Sequence, residues 1–325
     1  MEQNQSSRGF VTIATGKEQY YKIAANLLKS YRFFAKEPLP FAIIADQENE
    51  YTRLFDKTII LKNPHYSYLD KIELLRNIPY QETIFVESDC LAYADLNCFF
   101  NSFENANDFS MFGRSLPLDT KEVGWFKLEE TGKYREQIAF HQRFHSAIIY
   151  LRQGEICQKI YDVCKDVYDH FEEYNIGGNQ EAMDDKLFAI GSAVLHCKMT
   201  SNSFENNYTA YCCYPADRKA KRKPKPQIKL QKMAVLDYKR EKWMNAFICH
   251  WATFNTKRAI YKREICSLEY LENHSKNTNF KSFLYTVALP FSDFWKAAKE
   301  FAYKIAQIKW IKKLLKPIVH KIRNL

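Results

Sequence analysis

The first apolar run, FVTIAT from Phe10, has the length and β-branched content of a buried strand. The residues that follow, EQYYKIAANLLKSYRFF, place Tyr20, Ile23, Ala24, Leu27, Leu28 and Tyr31 at helical spacing. A break at Pro38 and Pro40 precedes FAIIAD, a second buried strand ending at Asp46, then KTIIL, the helical YLDKIELLRNI and the strand TIFVES. Strands without polar alternation, separated by helices, predict an α/β fold with a mostly parallel sheet and helices on both faces. Such sheets bind ligands beyond the carboxyl ends of their strands. The polar residues there, Ala14-Thr15-Gly16, Asp46 and Glu87-Ser88-Asp89, are therefore the first candidates for chemistry.

Beyond residue 100 the pattern loosens. Residues 101–140 are largely polar, with a loop expected over Leu116–Gly124, before HSAIIYL (145–151) returns to strand pattern and a helix runs from Glu155 to about Phe171. GNQEAMDDKLFAIG (178–191) predicts a short helix carrying clustered acids, the Lys/Arg-rich segment 215–229 an exposed loop, and FICHWATF (247–254) a last strand with a polar end. From 281 onward the chain reads as helical and basic. Nine Lys/Arg between Lys296 and Leu325 stand against one acid, Glu300, while Phe301, Ile305, Ile308, Ile311, Leu315, Ile318 and Ile322 fall on one helical stripe with a kink expected at Pro317. The expected organisation is a catalytic domain over 1–257, a linker over 258–280, and a basic amphipathic helical extension over 281–325 that lies on an anionic membrane surface.

Composition narrows the class. With 325 residues, 46% hydrophobic and 26% charged, the chain can bury a large core. Its apolar runs fall short of the ~20 residues needed to cross a bilayer. Most of the net charge of +10 lies in the last thirty residues. Nine glycines and the lack of any G-x-G-x-x-G or G-x-x-x-x-G-K-[ST] exclude the common glycine-rich phosphate loops, and ATGKEQYY lacks the glycines a nucleotidyltransferase loop would need. Nine cysteines without C-x-x-C spacing and the polar start MEQNQSSRGF point to reduced thiols and a cytoplasmic protein.

The triplet Glu87-Ser88-Asp89 sets two carboxylates directly after an apolar strand. There they can share a hard divalent cation that keeps positions open for a diphosphate. In order along the chain come Val11-Thr12-Ile13-Ala14-Thr15, Tyr20, Ala25-Asn26-Leu27-Leu28-Lys29-Ser30, the basic Lys71, Glu87-Ser88-Asp89, Cys90-Leu91-Ala92 and Asp95-Leu96. Then follow His145-Ser146-Ala147, Asn179-Gln180-Glu181-Ala182-Met183-Asp184, and Ile248-Cys249-His250-Trp251 with Lys257. This series resembles the GT-A nucleotide-sugar glycosyltransferases, and among them the glycogenin-like glycosyltransferase family 8.

The resemblance implies a GT-A (Rossmann-like) fold and metal-dependent transfer of a hexose from a UDP-sugar to a glycan or lipid-linked glycan, with retention of anomeric configuration. It places Mn²⁺ or Mg²⁺ on Glu87, Asp89 and His250, and the donor against Ala14, Thr15, Tyr20, Lys71, Ser88, His145, Ser146 and Lys257. Gln180, Glu181 and Asp184 fall on the sugar's other face. The expected place of work is the inner face of the membrane, with the protein held there peripherally. A second reading is a degenerate transferase domain acting as a basic membrane- or nucleic-acid-binding module, because glutamate (Glu87) and asparagine (Asn179) stand where the family has aspartate. Nucleic acid is the less favoured partner.

Overall fold

The computed structural model describes residues 7–121, 124–174, 176–177, 180, 183–201, 209–211, 235–237, 242–244, 246–251, 255–257, 261–262, 264–266 and 268–269. The chain divides into two compact units, Met1–Thr253 and Phe254–Leu325. In the first, the strands are β1 (Arg8–Ala14), β2 (Phe41–Ala45), β3 (Lys57–Ile60), β4 (Glu82–Val86), β5 (Cys90–Ala92), β6 (Phe109–Pro117), β7 (Phe140–Arg152), β8 (Thr200–Ser201), β9 (Thr209–Tyr211), β10 (Val235–Asp237), β11 (Lys242–Met244) and β12 (Ile248–His250). The α-helices are α1 (Glu18–Phe34), α2 (Phe99–Ser102), α3 (Glu155–Asp169) and α4 (Asp184–Val194).

The fold is mixed α/β. Its seven-stranded sheet has the order β3-β2-β1-β4-β7-β6-β8. Four pairings are parallel, β1 with β2 and β4, β2 with β3, and β6 with β8, while β7 runs antiparallel to β4 and β6. Neighbouring residues of each central strand enter opposite cores, as the period of two requires. Phe10, Ile43, Ile84 and Val86 pack with Tyr21, Leu27, Leu28 and Tyr31 of α1 and Phe99 of α2. Val11, Ile44 and Phe85 pack with Ile160 and Cys164 of α3 and Leu187 and Phe188 of α4. Helices thus cover both faces, which is why the strands read as unbroken apolar runs. On that second face α3 and α4 approach closely at Gly191, where a β-carbon would lie 2.9 Å from Ile160 Cγ2.

Three elements differ from the pattern reading. Phe109–Pro117, inside the stretch read as polar, is strand β6. Its one buried hydroxyl, Ser110 Oγ, bonds Lys198 O and Thr200 Oγ1, so the segment is a sheet interior despite its broken apolar pattern. Tyr68–Leu75 winds as 3-10 turns rather than α-helix, opened by Ser67 Oγ accepting from Leu69 N, and turns Asp70 and Lys71 into the interior. Helix α4 opens at Asp184, six residues after the predicted start at 178. In the second unit Asn255–Lys257 forms a 3-10 turn, and the described residues of 261–269, within the expected linker, are helical. The basic segment 215–229 and the helix expected over 281–325 lie outside the described residues.

Candidate active site

Pairing at the carboxyl end of β4 assembles a cluster from distant parts of the sequence. Glu87 and Asp89 follow β4 directly. Antiparallel β7 places Ile148 opposite Val86, and Glu87 N donates to Ala147 O at 2.9 Å, so His145 and Ser146 pass the end of β4. In the smaller sheet β12 opposes β5 with His250 against Cys90, and Trp251 N donates to Asp89 O at 3.1 Å. That register delivers His250 to the triplet. Its Nε2 lies 2.8 Å from Glu87 Oε2 and 3.1 Å from Asp89 Oδ1. One ligand atom from each of Glu87, Asp89 and His250 can be chosen with all three within 4.8 Å of one another. Two carboxylates and an imidazole on one side, beside an open cleft, suit a divalent cation that takes both oxygen and nitrogen ligands and keeps positions free for a substrate. The residues present fit the Mn²⁺ or Mg²⁺ expected from the sequence.

Lys71 stands behind this cluster. It is buried, and its Nζ lies 2.6 Å from Glu87 Oε1, 2.7 Å from Asp184 Oδ2 and 3.1 Å from Ser146 Oγ. Burial alone would discharge the ammonium, but the carboxylates of Asp184, Glu87 and Asp185 outweigh it and hold the pKa well above the usual lysine range. For Glu87 burial likewise favours the neutral acid. The charges of Lys71 and His250 prevail and hold it well below the carboxylate range. Glu87 is therefore a fixed anion with one oxygen on Lys71 and the other on His250. His145 stacks edge-on against His250, ring centroids 5.0 Å apart, and its Nδ1 accepts from Ala147 N.

A cleft of about 380 Å³ opens in front, lined by Ala14, Thr15, Tyr20, Lys71, Glu87, Ser88 and Asp89 among others. The size suits a nucleotide-sized ligand. Tyr20, read as part of the helix stripe, faces this cleft, while Tyr21 is buried and donates to Asp46, whose Oδ1 also accepts from Gly16 N. Asp46 is thus a brace for the turn between β1 and α1. Burial, followed by the Asp46 contact, pushes the Tyr21 phenol up to about 12.

The expected sugar-side residues are divided. Gln180 Nε2 donates to Tyr168 O at the end of α3, and Gln180 does not line the cleft. Glu181 lies outside the described residues. Asp184 pairs with Lys71, and Asp185, which the sequence reading did not single out, completes the acid pair at the start of α4. Burial, then the neighbouring Asp184 carboxylate, pushes Asp185 up to about 6, and its Oδ1 is buried without a hydrogen-bond partner. Two adjacent acids just before an apolar helical run carry the signal of a helix N-terminus, and that signal would have moved the expected helix start from 178 to 184. Lys257 is exposed in the 3-10 turn of the second unit.

No protein-family model matches the chain, and no curated protein matches it. Among solved structures it is similar to the galactosyltransferase LgtC in complex with donor and acceptor sugar analogs. The identity is 10%, the match covers 75% of this chain and 87% of that chain, and the TM-score is 0.44. Among the described residues no helix is long and apolar enough to cross a membrane.

Proposed function

We propose that this chain is a metal-dependent GT-A glycosyltransferase that moves a hexose from a UDP-sugar to a glycan or lipid-linked glycan acceptor. The observation that carries the reading is the convergence of Glu87, Asp89 and His250 beside a cleft at the carboxyl ends of β1 and β4. Glu87, Asp89 and His250 would hold Mn²⁺ or Mg²⁺, which when bound supplies Lewis-acid charge toward the departing diphosphate. The protein's own groups do the rest. Lys71 keeps Glu87 ionised and in place, and it adds fixed positive charge at the cleft wall. Ala14, Thr15 and Tyr20 line the part of the cleft assigned to the nucleoside, and Ser88 lies between the two acids.

Breaking the anomeric C–O bond builds positive charge on the sugar ring, for which carboxylates are the natural counterpart. We assign that role to Gln180, Glu181 and Asp184, as the resemblance implies; Asp184 adjoins Lys71 of the cleft wall, while Gln180 bonds Tyr168. The resemblance favours retention. The test is release of UDP from a panel of UDP-sugars, with and without Mn²⁺. Slow metal-dependent hydrolysis is expected, and no release from any nucleotide sugar under either condition would instead favour the binding-module reading.

The basic stripe of 296–325 supports a peripheral place on the cytoplasmic face, where a lipid-linked acceptor would lie. An anionic leaflet contributes roughly 1 kcal/mol per nearby basic residue. Sedimentation with anionic liposomes should capture the full chain and not one ending at Ser292, with binding lost at high salt. Equal binding by both chains, or indifference to lipid charge, would remove the membrane role.

A further inference from the structure

Tyr66 combines features that no packing requirement explains. Its backbone adopts φ 55°, in the left-handed region that a bulky side chain enters only under strain. The strain is held by Asp70, which is 2% exposed. Asp70 Oδ1 accepts from His65 N at 2.6 Å, and Oδ2 accepts from Tyr66 N at 3.1 Å and from Thr15 Oγ1 at 2.6 Å. One buried carboxylate thus ties the loop before the 3-10 turns to the end of β1. The ring on that backbone is not part of the core, being 63% exposed while lining the cleft together with Tyr20 and Tyr68. Its Cδ1 would lie 3.1 Å from a β-carbon on Gly16, so the ring rests over the Gly16 backbone, and φ +82° at Gly16 marks a second position that suits glycine.

We infer that Tyr66 is a binding wall for the nucleobase of the donor, with Asp70 as its positioning residue; the inference rests on the nucleotide-sugar reading above. An exposed aromatic ring that lines the cleft on a backbone held by Asp70 is what stacking on a planar heterocycle requires. Such a ring loses little freedom on binding because the Asp70 clamp has already ordered its backbone.

The experiment measures binding of UDP and of inorganic diphosphate, each with Mn²⁺, to the full chain by calorimetry, alongside melting temperature. Tyr66→Gly and Tyr66→Asn both accept positive φ. They should melt no lower than the parent and bind UDP about 5- to 160-fold more weakly, the range of base–aromatic stacking, with diphosphate affinity unchanged. Tyr66→Phe should bind UDP as the parent does. Unchanged UDP affinity in the glycine and asparagine variants overturns the inference and leaves the nucleotide-sugar reading standing, and so does an equal loss for UDP and diphosphate. A parent chain that binds neither ligand brings down the nucleotide-sugar reading itself.

Discussion

Replacing Asp89 with asparagine is expected to cut donor turnover by about 10²–10³-fold or more, with the melting temperature nearly unchanged. A single charged group that acts on the developing charge of a transition state is worth that much. Asparagine keeps the shape of the side chain, and the backbone bond from Trp251 N to Asp89 O does not depend on it. The lost charge faces His250 Nε2 at 3.1 Å, at the centre of the proposed cation site. Steady-state UDP release and Mn²⁺-dependent UDP binding should therefore fall together. Full turnover by Asp89→Asn, or parent activity untouched by excess EDTA, would argue that the carboxylate–imidazole cluster serves only the fold.

The largest effect on stability is expected at Lys71. Its ammonium lies within 2.7 Å of a carboxylate oxygen of both Glu87 and Asp184, and all three side chains are largely withdrawn from water. Lys71→Met keeps the length of the stem and removes the charge, stranding two buried anions. Removing one partner of a buried ion pair costs about 3–5 kcal/mol. In a unit of this size that corresponds to a fall in melting temperature of roughly 6–20 °C. Adding Asp184→Asn to Lys71→Met should recover part of the loss, because one stranded anion is then neutral. Thermal unfolding of the two variants is the measurement. A fall of less than about 2 °C in Lys71→Met would mean that water or local rearrangement solvates Glu87 and Asp184 in its absence.

Much of the candidate site's wall was legible from local pattern. Glu87 and Asp89 follow an apolar strand, and Ala14 and Thr15 end another, so placing them at the ligand edge needed only the rule for parallel sheets. Lys71 was assigned by resemblance, and its burial followed from nothing in its own segment, where YLDKIELL reads as an ordinary amphipathic helix. The strand β6 escaped because Ser110 and Gly113 interrupt its apolar run, and only the bonds from Ser110 to Lys198 and Thr200 show how the interruption is accommodated. The acid pair at α4 was visible as residues but not as a position. A six-residue difference in where the helix begins puts Asp184 and Asp185 in its first turn.

By itself the sequence determined the α/β class, the parallel centre of the sheet and the two carboxylates after β4, because these depend on periodicity and on neighbours within a few residues. Only the tertiary structure decided which distant groups meet them. The register of β12 on β5 delivers His250, antiparallel β7 delivers Ser146, and the packing of α4 brings Asp184 onto Lys71. The physical reason is that a buried charge is stable only when its partner is within a few ångströms, and that partner is chosen by strand register and helix packing rather than by anything in the charged residue's own segment.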